Sequence, residues 1–334
     1  PWHDTAAMIE GDAAAALGDL ARERWHRATD RHLPAPTRHD GLWPEYFAPM
    51  VRDRAVAISR TIPKQEGVEE VREIEQLYID MIERARHFIY ADNQYFASRR
   101  IAEALAKRLH EKDGPEIVIV NPISADGWLQ EAAMGSARAA LFYALADVDE
   151  HDRFQIYTPV TQAGEPIYVH SKLMIVDDRI LRVGSSNMNN RSMGLDSECD
   201  VAIVGDSSSE RDPAITELRE VLMAEHLGTT TEKIRETFER TGSLIGTVEV
   251  LRGPGTKTLL ELEPHEWGDT SLAIGASELL DPESVDERFE PLSSRGLFRG
   301  FLRRGSTAAR TFRRPIPDRA VRSLRSQGWC RPIH

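Results

Sequence analysis

Short apolar runs alternate with helix-period segments through the first half of this chain, and that alternation constrains its fold more than any other feature. From Val68 to His87, the apolar positions Val68, Val71, Ile74, Leu77, Tyr78, Met81 and Ile82 recur at helical spacing. Arg84 and Arg86 follow where cations suit the negative end of a helix dipole. Phe88–Ala91 then reads as a strand running into Asp92, Asn93 and Gln94. A helix over Arg99–Leu109, an apolar run at Ile117–Val120, a long helix near Trp128–Ala146 and a strand at Phe154–Tyr157 complete the series. Strands separated by helices fit a sheet with helices packed on its faces, so an α/β sandwich is expected.

The flanking segments are less regular. Residues 12–27 read as a helix with Leu17, Leu20 and Trp25 on its inner face, followed by a connector rich in proline from Leu33 to Met50. Arg54–Ser59 reads as a short strand. Beyond a strand at Asp200–Val204, Glu217–Leu227 and Glu232–Leu251 carry helical patterns. From Leu292 onward eleven arginines stand against a single acid, Asp318. Leu297, Phe298, Phe301 and Leu302 fall at helical spacing among them, the pattern of a short basic helix that lies on an anionic membrane surface. A disordered tail rich in Arg and Pro fits the same residues.

Bulk composition narrows the function classes. The net charge is −12, which argues against a generic nucleic-acid binder, because the duplex backbone demands compensating Lys and Arg. No run approaches the ~18 apolar residues of a membrane span. Cys199 and Cys330, the two cysteines, can build neither a disulfide framework nor a cysteine-based zinc site. The chain begins at Pro1, so a signal or targeting segment upstream would not be visible, and location is left at cytoplasmic or peripheral to a membrane.

The stretch Tyr168–Val183 carries the chemistry. It reads as two strands joined by a turn at Asp177–Asp178, and contains His170, Lys172 and Asp177, then Gly184, Ser185 and Asn187. On a strand, His170 and Lys172 project from one side. An imidazole beside an ammonium makes a poor core, since desolvating the cation is costly, but it suits a phosphate that supplies the missing negative charge. Ser185 and Asn187 can donate to phosphate oxygens, and Gly184 allows a close turn of the backbone.

This H-x-K-x4-D-x6-G-S-x-N pattern resembles the motif of the phospholipase D superfamily. Ile89 to Phe96 is similar to the I-Y-x-E-N-Q-Y-F segment of its eukaryotic-type and related bacterial phospholipases D, with Asp92 in place of the usual Glu. Asn189 to Met193 and Glu225 to Gly228 also match that subgroup and read as structural. Pro1-Trp2-His3-Asp4, Gly11 and Arg24-Trp25 resemble the segment that follows the first of the family's two motifs. The resemblance implies an α-β-α sandwich with a mixed central sheet. Residues 1–50 would be a remnant of an N-terminal lobe plus connector, 51–265 the C-terminal catalytic lobe, and 266–334 a basic flexible tail.

The resemblance also implies a two-step phosphoryl transfer through a phosphohistidine, with no metal or other cofactor. His170 would be the acid–base histidine, Lys172 a phosphate ligand, and Asp177 an orienting and charge-balancing residue. Glu198 would be the acid that hydrogen-bonds the imidazole. Ser185, Asn187, Asn93 and Gln94 would bind phosphate or substrate. Expected partners are a phospholipid, the membrane surface and a missing N-terminal half, with no nucleic acid. The second H-x-K in the chain, at His110 and Lys112, lacks the following Asp and falls at a predicted helix end. A phosphatidyltransferase of the cardiolipin synthase kind, a nuclease of the same superfamily and a catalytically silent binding protein are the alternatives.

Overall fold

The expected sandwich with a mixed central sheet is what the chain adopts. A computed structural model describes residues 1–37, 43–124, 134–206, 209–263 and 281–282. The strands are β1 (Trp2–His3), β2 (Val56–Ile62), β3 (Val71–Arg72), β4 (Phe88–Asn93), β5 (Glu116–Val120), β6 (Phe154–Val160), β7 (Tyr168–Val169), β8 (Lys172–Val176), β9 (Ile180–Gly184), β10 (Glu198–Val204) and β11 (Thr258–Glu261). The helices are α1 (Asp12–Thr29), α2 (Glu73–Arg84), α3 (Arg99–Leu109), α4 (Ser136–Val148), α5 (Asn190–Gly194), α6 (Pro213–Leu227), α7 (Thr231–Thr241) and α8 (Leu244–Leu251). None of the described helices is long and apolar enough to cross a membrane.

Among the described residues, nine strands form one sheet in the order β11-β6-β5-β4-β8-β9-β10-β2-β3. Strands β4, β5 and β6 run parallel, joined through helices, whereas β8, β9 and β10 form an antiparallel meander that docks on β4. Phe88 and Tyr90 of β4, Val118 and Val120 of β5, and Leu173 and Ile175 of β8 pack with Leu222, Met223, Phe238 and Val248 of α6, α7 and α8. Side chains alternate along a strand, so Ile89, Ala91, Ile117, Ile119 and Met174 turn to the other face, which α2 and α3 cover with Ile74, Met81, Ile101 and Leu105. Both faces are dry, which explains why these strands read as continuous apolar runs.

Three expectations change at the level of elements. Tyr168–Val183 forms three strands rather than two, because the chain leaves β7 at His170 and Ser171 before entering β8. Glu232–Leu251 is two helices, broken at Gly242, whose φ of 65° lies in the left-handed region that glycine adopts without strain. Helix α1 forms as expected but buries none of its residues, and Trp25 remains 46% exposed. Its supposed inner face therefore meets no core among the described residues. Asp281, placed by the sequence reading in the tail, is buried and accepts the Asn190 and Arg191 N–H groups at 2.9 and 2.8 Å. The possible basic helix at Leu297–Arg304 lies outside the described residues.

Candidate active site

The site lies where β7 passes into β8. The short strand β1 pairs in parallel with β7, Trp2 opposite Tyr168 and His3 opposite Val169. The His170 N–H donates to the His3 carbonyl at 2.8 Å. That pairing brings Asp4 beside His170, and the Asp4 Oδ2 lies 2.8 Å from the His170 Nδ1. Burial works against the charge on Asp4, but hydrogen bonds from His170 and from the Thr5 N–H outweigh it and hold the carboxyl below its usual value. Asp4 is therefore a carboxylate, so Nδ1 carries the proton that it accepts and Nε2 is left for chemistry. The Trp2 ring, 5.1 Å from the imidazole, screens one side of it.

Lys172 opens β8 opposite Asn93 and is buried. Its Nζ donates to the His170 carbonyl at 2.5 Å and to the Gln94 Oε1 at 3.2 Å. Gln94 in turn donates to the Tyr168 hydroxyl at 2.8 Å, tying the lysine to the strand before the histidine. Burial lowers the Lys172 pKa to about 8, with Asp4 and Glu198 opposing the shift. An ammonium that loses its proton near pH 8 gives a direct expectation. Binding of inorganic phosphate should weaken as pH rises through about 8, and Lys172→Arg, whose charge does not titrate there, should remove that dependence. Isothermal titration at pH 6.5 and 9 measures both.

The loop Gly184–Asn187 is held from behind by a buried ion pair. Arg182 and Asp200 are both fully buried, and the Arg182 Nε donates to the Asp200 Oδ2 at 2.8 Å. Asp200 also accepts from the Ser186 N–H at 3.1 Å and the Ser186 hydroxyl at 2.6 Å. Arg182 returns a bond to the Ser186 carbonyl at 2.8 Å, and its guanidinium lies 4.5 Å from the centre of the Tyr78 ring. At Gly184 any Cβ would come within 2.6 Å of the Asp200 Cα, so glycine is required by the close approach of β10.

Several residues take places other than those expected from sequence. Asp177 sits at the far end of β8, five residues or about 16 Å from Lys172. There it accepts from the backbone N–H groups of Arg86, His87 and Phe88 at 2.7 to 2.8 Å. It organises the turn from α2 into β4 and does not balance charge at the site. Glu198 does not reach the imidazole, because Asp4 occupies that place. Instead it accepts from Ser185 at 2.5 Å and Ser192 at 2.8 Å, and burial raises its pKa. Asn93 is fully buried, and its Oδ1 accepts from the Tyr95 and Met188 N–H groups at 3.2 and 3.1 Å. Through that oxygen it anchors the end of the loop.

His170, Lys172, Gln94, Ser185 and Asn187 do lie around the same strand ends. Ser185 is exposed, but its hydroxyl donates to Glu198, so binding a phosphate oxygen would require that proton to turn away. Asn187 is half-buried, its N–H donates to the Ser192 hydroxyl at 3.0 Å, and its Oδ1 has no partner among the described residues.

Sequence reasoning missed Asp4 as a site residue. The signal available was an acid in the Pro1–Asp4 segment, but no local pattern says that this segment pairs with β7. It also missed a buried cluster beneath Asp4. The Asp92 Oδ2 lies 3.1 Å from the His3 Nε2 and 3.0 Å from the His226 Nε2. The Glu225 Oε1 meets the His3 Nδ1 at 3.1 Å and the Lys257 Nζ at 2.9 Å.

Parts of the chain are similar to known proteins. Residues 78–221 match the family model described as "Cardiolipin synthase, PLD-like domain". The chain is 28% identical over 242 residues to phospholipase D A of Dictyostelium discoideum, covering 61% of this chain and 18% of that protein. It is 32% identical over 228 residues to phospholipase D zeta 1 of Arabidopsis thaliana, covering 52% of this chain and 21% of that one. It thus spans about a fifth of the length of these relatives. Among solved structures, the phospholipase D family member Nuc from Salmonella typhimurium aligns over 52% of this chain and 91% of that one, at 21% identity and a TM-score of 0.36. The domain at the centre of the chain is phospholipase D-like. The chain is similar in sequence to members of the phospholipase D superfamily.

Proposed function

We propose that the chain provides the acid–base half of a phosphodiester-cleaving centre acting on phospholipid head groups. The observation that carries this reading is the pairing of His170 with Asp4, which binds Nδ1 and leaves Nε2 free of the carboxylate, while the Lys172 ammonium is bound to the His170 carbonyl. In the first step an imidazole on a second H-x-K segment attacks phosphorus, and the bond from phosphorus to the head-group oxygen breaks. His170, protonated at both nitrogens with its Nδ1–H held by Asp4, gives its Nε2 proton to the departing alcohol and is left as the Nδ1–H tautomer. In the second step water attacks the phosphohistidine, the P–N bond breaks, and His170 takes the proton from that water. Lys172 stabilises charge on the phosphoryl oxygens through both steps. The second imidazole is taken to come from another part of the protein or from a second copy.

The same centre can pass the phosphatidyl group to an alcohol instead of water. The match of residues 78–221 to a model named for cardiolipin synthase favours keeping this transferase reading. One experiment separates the readings. Phosphatidylcholine vesicles are incubated with the protein and ethanol, in parallel with phosphatidylglycerol vesicles and with single-stranded DNA. The phospholipase reading expects phosphatidylethanol and phosphatidate. Cardiolipin from phosphatidylglycerol alone selects the transferase, and nucleotide release without lipid product overturns the lipid assignment.

A further inference from the structure

The buried cluster beneath Asp4 contains a histidine with an acid at each ring nitrogen. His3 is 4% exposed, with the Asp92 Oδ2 at its Nε2 and the Glu225 Oε1 at its Nδ1. A neutral imidazole has one N–H and one lone pair. In its neutral form His3 would therefore set a lone pair against a carboxylate oxygen, either that of the buried Asp92 or that of the half-exposed Glu225. Neither acid relieves the conflict by taking a proton. Burial disfavours charge on Asp92, yet His226 and His3 hold it well below the ordinary carboxylate range. Burial likewise works against Glu225, but Lys257 and His3 bring its carboxyl below the usual value. The arrangement is satisfied only when His3 carries both protons.

We infer that His3 is a buried imidazolium, and that its bonds to Asp92 and Glu225 fix the neighbouring Asp4 carboxylate against His170. The charges around it support this. Asp92 and Tyr90 face it from β4, Glu225 and His226 from α6, and Lys257 reaches it through Glu225. The His226 ring centre is 4.5 Å from that of His3. His226 meets Asp92 through Nε2, and its buried Nδ1 has no partner among the described residues. Burial opposes the charge on His3, but its contacts with Asp92 and Glu225 raise its pKa above the ordinary histidine value.

The mechanical consequence follows from β1. Two residues paired with β7 are a weak tether, and successive side chains on a strand point to opposite faces. Driving the His3 ring into the cluster turns Asp4 the other way, toward His170. His3 is thus a positioning residue: it acts on the reaction through Asp4 and His170. The sign of the pH effect is fixed. With its folded pKa raised, His3 contributes fully below about 6.5, the value for free histidine. Its hold is lost as pH rises through the folded value. Its consequence for His170 rests on the acid–base role proposed above, whereas the protonation of His3 itself does not.

The test is long-range 1H–15N spectroscopy of the histidine rings in the full chain labelled with 15N-histidine, from pH 6 to 10. At pH 7.5 both His3 nitrogens are expected to be protonated, and neutral His170 to carry its proton at Nδ1. When His3 loses its proton at higher pH, the His170 signals should change to mixed tautomers in the same step. Asp92→Asn should neutralise His3 at pH 7.5 and bring the tautomer mixture of His170 down to that pH. If that variant does not fold, Glu225→Gln, at a half-exposed position, should shift the His3 transition to lower pH. A neutral His3 at pH 7.5, or a His170 tautomer that ignores the state of His3, overturns the inference. So does binding of one equivalent of added zinc by the two Nε2 atoms, since a metal requires them unprotonated.

Discussion

Replacing His170 by Ala is expected to reduce phosphodiester turnover by about 10³- to 10⁴-fold, near the upper end of what a positioned acid–base group contributes. The same nitrogen serves both steps: it protonates the departing alcohol and then activates water. Its loss therefore cannot be bypassed by accumulating the intermediate. The ring is 37% exposed and its one side-chain bond among the described residues is to the half-exposed Asp4, so the fold should hardly notice. A melting temperature within about 2 °C of the unmodified protein is expected alongside the lost turnover. Asp4→Asn, which keeps an acceptor but removes the charge that selects the tautomer, should give an intermediate loss in kcat with little change in KM. Turnover of His170→Ala within tenfold of normal would show that another group moves the proton.

The largest effect on stability is expected at a residue remote from the proton chemistry. Asp200→Ala should destabilise the chain by about 3–5 kcal/mol, the cost of leaving one partner of a buried ion pair uncompensated. Arg182 would keep the Ser186 carbonyl and the face of Tyr78, but no anion, and it has no solvent to retreat to. Ser186 would lose the acceptor for both its N–H and its hydroxyl, which releases the loop that carries Ser185 and Asn187. Arg182→Met combined with Asp200→Ala removes the stranded charge and should be less destabilising than Asp200→Ala alone. Urea titration of the three variants measures the ordering. A single Asp200→Ala change costing under about 1 kcal/mol would mean that solvent reaches Arg182.

The fold was readable where burial on both faces leaves a simple mark. Phe88–Asn93, Glu116–Val120 and Arg99–Leu109 stand within a residue or two of where their apolar pattern puts them. Edges were harder to see. Strand β11 was not anticipated, because Thr258–Glu261 borrows its order from β6 and has little pattern of its own. Helix α1 was readable as a helix but not in its packing, since an Ala-rich segment looks the same whether or not anything covers it.

The site was legible in part for the same reason. His170 and Lys172 announce themselves through chemistry that a core does not tolerate. Their partners come from elsewhere in the chain: Asp4 from 166 residues away and Gln94 from 78. Spacing carries no information about such contacts. Asp177 shows the converse error. It belongs to the same sequence pattern as His170, yet the length of β8 carries it to the opposite end of the strand, where three backbone N–H groups claim it.

One titration bears most directly on whether His170 and Lys172 jointly receive a phosphoryl group. Inorganic phosphate is added to the 15N-histidine-labelled chain at pH 7 while the ring nitrogens are observed. Saturable movement of the His170 Nε2 signal, abolished in Lys172→Ala with His226 unmoved in both, is the result expected. A His170 signal that stays fixed at every phosphate concentration, or that moves equally well without Lys172, contradicts the reading of this strand end as a phosphate site.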